Sequence, residues 1–139
     1  MTQFETNKND RRDRVFQMLF SLDFNKERSQ DETFLSFFDE GDSVPSDGYI
    51  RSTFNGAHDF APEADAMIEK DSKNWSISRM SSVTRTVLRL SIYELLCTPL
   101  PPRVAISEGV ELAKKYGDEN EPAFVNGILN RIAKENGKI

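Results

Sequence analysis

SVTRTVLRLSIYELL, residues Ser82–Leu96, is apolar on two sides of a helix at once. Val83, Val87 and Leu90 share one side, while Leu88, Ile92, Leu95 and Leu96 fall nearly opposite. A surface helix carries one apolar arc, so two arcs call for neighbours on both flanks. Ser82 is the expected N-cap, its hydroxyl accepting from a free amide of the first turn. Pro99, Pro101 and Pro102 end the segment by removing donors and fixing φ. The stretch reads as a central helix around which the rest of the chain packs.

The flanking sequence supplies its partners. From about Asp10, Val15, Met18, Leu19 and Leu22 follow the i, i+3, i+4, i+7 rule, widened by Phe16 and Phe20, with Asp10 as cap and Asp13 in the first turn. Asp31–Glu40 reads as a short helix turning Phe34, Phe37 and Phe38 inward and stopped by Gly41. Asp42–Ser46 is a turn. A helix from about Asp47 to Phe60 buries Ile50, Phe54 and Ala57; a new one restarts at Ala61-Pro62, carrying Ala64, Met67 and Ile68. Trp75 and Ile77 are expected to plug the base of the central helix. Val104–Tyr116 aligns Ile106, Val110 and Ala113, with Gly117 as a left-handed C′ residue. Asn120 caps a last helix with stripe Val125, Ile128, Leu129 and Ile132, ended by Asn136-Gly137. No strand pattern competes, and no internal repeat is visible. The expectation is an all-α chain of about seven helices.

Composition bounds the function. The 139 residues suit one domain, with 37% apolar residues and ten Phe for the core and 29% charged residues for solubility. No apolar run reaches the roughly 18–20 residues of a membrane span, and the N-terminus lacks the apolar region of a secretory signal. The single Cys97 makes no internal disulfide and reads as a buried, inert thiol in a reducing cytoplasm. A net charge of −5 argues against nucleic-acid binding through the whole surface, so any such site is local. Lys8, Arg11, Arg12 and Arg14, set against Asp10 and Asp13, form the densest positive run.

Catalytic motifs are missing from the sequence. His58 is the only histidine, which excludes a His-based metal cluster, and there is no phosphate loop, dinucleotide fingerprint or nucleophile elbow. Glu94 stands among the apolar residues of one arc; a buried carboxylate needs a positive or multiply donating partner, so it reads as half of a structural ion pair. No enzyme activity, metal or cofactor is expected.

Four groups of residues stand in a set order along the chain: Arg12-Asp13 followed by Phe16-Gln17 and Leu19-Phe20; Val83, Arg85 and Val87–Leu90 followed by Ile92–Leu95; Val104–Glu108 with Val110–Gly117; and Phe124–Leu129. Together, in this order and spacing, they resemble the NusB family of bacterial transcription antitermination factors over essentially the whole chain. The resemblance implies two small helical bundles packed together, with residues 1–74 and 75–139 as the two parts. It implies a cytoplasmic, non-enzymatic role: binding single-stranded boxA-type RNA together with the ribosomal protein NusE. It also implies joining other Nus factors on RNA polymerase, notably in ribosomal RNA operons.

The family's arginine-rich run maps onto Lys8 to Arg12, with Asn9 and Asp10 where basic residues often stand, and with Arg11 and Arg14 as nearby replacements. Asn120, Phe124 and Asn126 match its second RNA element, where a helix start offers amides to phosphate and an exposed Phe stacks on a base. Phe124 reads equally as the edge of the last helix's core stripe, and Asn120 as a simple cap. Ala123 replaces a common Lys, so a modest RNA affinity is expected of the isolated protein. For the protein partner the resemblance points to the second bundle: Thr84 and Arg85, expected outside the core, with Arg79 and Arg89 adding charge. Two other readings remain: a helical interaction module with little RNA affinity, and a detached relative of the accessory domain of RNA methyltransferases, which the end at Ile139 without a cofactor-binding half disfavours. Self-association to a homodimer is left open by the sequence.

Overall fold

The computed structural model describes residues 8–39, 41, 48–72 and 76–139, with side chains from residue 11 onward. Among them are six α-helices: α1 (Lys8–Phe24), α2 (Gln30–Leu35), α3 (Tyr49–Asp71), α4 (Ser82–Cys97), α5 (Pro102–Tyr116) and α6 (Glu121–Glu135), with a 3-10 turn at Ile77–Arg79. The expected Asp42–Ser46 turn and the expected plug Trp75 lie outside the described residues.

The double-sided reading of α4 is what the packing shows. Val87, Leu88, Leu90 and Ile92 are fully buried, and the helix contacts α1, α3, α5 and α6. α1 packs with α2 and α3, while α5 packs with α6, so two small helical groups share α4. No helix among the described residues is long and apolar enough to cross a membrane.

Several helix ends differ from the sequence expectation. The cap of α4 is Ser81, whose Oγ accepts from the Thr84 amide at 3.1 Å; Ser82 is already the first helical residue. α1 starts at Lys8, which places Asp10 inside the helix rather than at its cap. α2 is shorter than Asp31–Glu40. It opens with a reciprocal capping box: Ser29 Oγ accepts from the Glu32 amide, and Glu32 Oε1 accepts from the Ser29 amide, each at 3.0 Å. It ends at Leu35, where Ser36 Oγ donates to the Thr33 carbonyl and the amides of Phe37 and Phe38 turn to tighter bonds with Phe34 and Leu35. Phe34 is buried, whereas Phe37 and Phe38 are half-buried.

The two helices expected around Ala61-Pro62 are one, which accounts for six helices rather than seven. Pro62 is exposed, so its ring and its missing donor fall away from the buried row Ala57, Ala64 and Ile68 that holds the helix together. Gly117 is extended (φ −108°), not left-handed; its missing side chain instead makes room for the Glu121 carboxylate. Cys97 is exposed in the last turn of α4, just past the buried residues of that helix. Gly137 does adopt the left-handed conformation (φ 68°), and the Lys138 amide returns to the Ala133 carbonyl at 2.8 Å.

Gly109 lets α5 approach its neighbours, since a Cβ there would collide with Ser91 Oγ and meet Leu129 Cδ1 at 3.0 Å. Gly109→Ala is expected to lower stability by about 1–3 kcal/mol through overpacking, measured by urea denaturation; a neutral effect would show that the α4–α5 interface has room to spare.

Candidate nucleic-acid interface

The cations of α1 do not share one fate. Arg12 and Glu94 face each other across the core because each sits on the buried side of its own helix. Arg12 is 3% exposed, and its Nε and Nη2 donate to the two Glu94 oxygens at 2.9 and 3.2 Å. Its Nη1 lies 3.5 Å from Glu108 of α5, and its guanidinium stands over the Tyr49 ring of α3. The Tyr49 hydroxyl donates to Glu94 at 2.8 Å. Burial, and then the Glu94 charge, push the Tyr49 phenol far above its ordinary value, so it remains a donor. For Arg12, burial works against the charge, but the bonds and field of Glu94 outweigh it and the guanidinium is held more firmly protonated. The structural ion pair expected of Glu94 is therefore present. Arg12 is corrected in turn: it is no water-facing phosphate contact, because both prongs of its fork are taken by Glu94.

Arg11 is half-buried, with its guanidinium 5.7 Å from the same Tyr49 ring, and Arg14 stands 5.8 Å from Phe37. The side chain of Lys8 lies outside those described. Asp13 pairs with Lys115.

The partner-binding candidates also separate. Thr84, expected outside the core, is 4% exposed. Arg85 donates to Asp23 at 2.8 Å and to the carbonyls of Ile77 and Met80 at 3.1 and 2.7 Å. Arg89 forks onto Asp65 at 2.7 and 2.9 Å and reaches Asp23 at 3.2 Å. These two arginines fasten the end of α1 and the middle of α3 to α4, which removes them as free surface charges. Arg79 is exposed.

Arg79 and Thr84 instead meet two of the RNA candidates. A groove of about 290 Å³ has Arg79, Ser81 and Thr84 on one side and Asp118, Asn120 and Phe124 on the other. Glu121 ties the two sides together: its carboxylate accepts from the hydroxyls of Ser81 and Thr84 and from the Asp118 amide. Burial raises the Glu121 carboxyl, but these donors outweigh it and hold it below the usual range, so the tie is ionised at neutral pH. Asn120 occupies the cap position of α6 but makes no side-chain capping bond, leaving its amide exposed at the groove. Phe124 both packs against the core and lines the groove. Asn126 stands apart: it is exposed, and its carbonyl and Oδ1 accept from Asn130 Nδ2 at 2.9 and 3.1 Å. The two hydroxyl partners of Glu121 lie 37 and 40 residues away, beyond the reach of local sequence patterns.

The NusB family model matches residues 9–134. The transcription antitermination protein NusB of Thermoanaerobacter sp. strain X514 is 35% identical over 131 residues, covering 94% of this chain and 93% of its own. The chain belongs to the NusB family. Two solved members share its fold. The T. maritima NusB superposes with a TM-score of 0.83 at 37% identity, over 93% of this chain and 92% of that one. NusB in a crystal structure with NusE and dsRNA superposes with a TM-score of 0.76 at 31% identity, over 97% and 99%. The resemblance read from the spaced motifs and the all-helical NusB architecture agree.

Glu94→Gln leaves the buried Arg12 charge with only the longer Glu108 contact, with an expected loss of about 3 kcal/mol of stability, measured by urea denaturation; a loss under about 1 kcal/mol would mean that the pair behaves as a surface one. Burial raises the Asp23 carboxyl, but the bonds and charges of Arg85 and Arg89 outweigh it and keep it below its ordinary range. A depressed folded value adds stability above the unfolded range, and that contribution is lost as pH falls through the folded value. Stability is thus expected to hold near neutrality and to drop below about pH 4. Asp23→Asn is expected to be less stable at pH 7 and to lose less on acidification.

Proposed function

We propose that this protein is an RNA-binding transcription antitermination factor that acts with NusE on a boxA-type sequence in nascent RNA, in a complex with other Nus factors and RNA polymerase. The observation that carries the reading is the whole-length likeness to a NusB that was crystallised with NusE and RNA. The groove supports it: Phe124 offers a ring to a base, Asn120 a free amide, and Arg79 a cation. With Arg12 committed to Glu94, the phosphate contacts of α1 fall to Lys8, Arg11 and Arg14, of which Arg11 and Arg14 also lean on aromatic rings. RNA affinity of the protein alone is accordingly modest, and NusE supplies the remainder.

One rival has an observation behind it. Asp118 and Glu121 put negative charge into the groove, and Arg12 is withdrawn, which suits a helical interaction module with little RNA affinity. Titrating a labelled single-stranded boxA RNA and a duplex with the protein, alone and with NusE, separates the two. Binding strengthened by NusE is expected; absence of RNA binding in both mixtures overturns the proposal. Lys8→Ala with Arg11→Ala is expected to weaken binding and to flatten its salt dependence, by about 0.7 in the logarithmic slope for each phosphate of a single strand that is no longer neutralised. Phe124→Ala is expected to cut RNA affinity in the same titration while the melting transition survives; retained affinity would assign the ring to the core alone.

A further inference from the structure

A second concavity, remote in its lining from the groove, lies between the end of α1, the middle of α3 and α4. It is an open cleft of about 780 Å³, within the range of roughly 300–1,000 Å³ typical of small-molecule sites. Leu19, Leu22, Ala57 and Ala61 make its apolar lining.

One hydrogen-bonding group borders this lining without a partner. Thr86, 2% exposed, forms part of the wall, and its hydroxyl has no partner in the protein. A buried polar group without a partner is costly, and a hydroxyl can both donate and accept, which makes this one beside an apolar surface a place for a ligand with a polar edge.

The charges sort by the same logic. Asp23, Asp65 and Arg89 in the wall are satisfied by one another. At the mouth stand Lys26, Arg28 and His58, all exposed, against Asp59 and, next to Arg28, Glu32. Glu32 is already engaged by the Ser29 amide. Lys26 and Arg28 thus offer a phosphate charge-assisted donors at the opening, beside the two carboxylates.

We propose that this cleft binds a nucleotide, with the base on the apolar lining, the base edge at the Thr86 hydroxyl, and the phosphate at Lys26 and Arg28. A base combines a flat apolar face with adjacent donors and acceptors, and a phosphate prefers charge-assisted bonds. The nucleotide comes either as a free monophosphate or as one residue of an RNA strand.

His58 is the only histidine, so its imidazole proton resonances report on the cleft. The full chain is titrated with uridine and adenosine monophosphates, with uridine, with inorganic phosphate and with a short single-stranded RNA. Saturable shifts at His58 with a monophosphate support the free source; shifts with RNA alone support the strand. Uridine is expected to bind about tenfold more weakly than its monophosphate, as the absence of a charge-assisted bond implies. Lys26→Ala with Arg28→Ala is expected to cause a similar loss, and Thr86→Val, which keeps the shape, a smaller one with the fold intact. The proposal is overturned if no nucleotide or RNA shifts His58, if inorganic phosphate saturates the shift equally well, or if both variants bind as the parent does. Its failure is distinct from failure of RNA binding at the groove, which Phe124→Ala reports.

Discussion

The Arg12 guanidinium enters the protein from α1 and meets a carboxylate from α4, under a tyrosine from α3 and within reach of a glutamate from α5. Four helices are registered by that one meeting. Removing either charge takes from the other its two-pronged partner in a place where water does not follow, and a poorly paired buried charge costs far more than a surface one. α1, α3 and α5 can therefore dock on α4 in one way that satisfies Arg12 and Glu94 together. Apolar packing alone, from Val87, Leu88, Leu90 and Ile92, excludes water but is less particular about register.

A second set of charges works at the other end of α4. Asp23 lies between Arg85 and Arg89, and Arg89 also holds Asp65, so the last turn of α1 and the middle of α3 are fixed to the same helix. With both ends of the rod spoken for, Arg12, Arg85 and Arg89 are held by carboxylates rather than left for ligands.

The features legible in the sequence are those that depend on periodicity. Six apolar stripes, the two-sided α4, the Glu94 requirement for a counter-ion and the family motifs follow from spacing along the chain. What escapes it are contacts between distant segments. Arg12 and Arg11 are neighbours in sequence, and only the position of Glu94, 82 residues on from Arg12, makes one of them a core residue. Thr84 is polar, which points it outward on composition, but Glu121 gives its buried hydroxyl a partner. Pro62 reads as a break, yet tertiary burial of Ala57, Ala64 and Ile68 overrides a single missing donor. Ser29 with Glu32 is a readable capping signal, obscured by the polar run around it.

The Glu121 tie has a consequence for any molecule that enters the groove. Because one carboxylate holds the first turn of α4 and the α5–α6 turn at once, the two sides keep their separation before a ligand arrives. The entropy of ordering them is spent during folding, and an incoming base meets a mould already set rather than two segments it must gather.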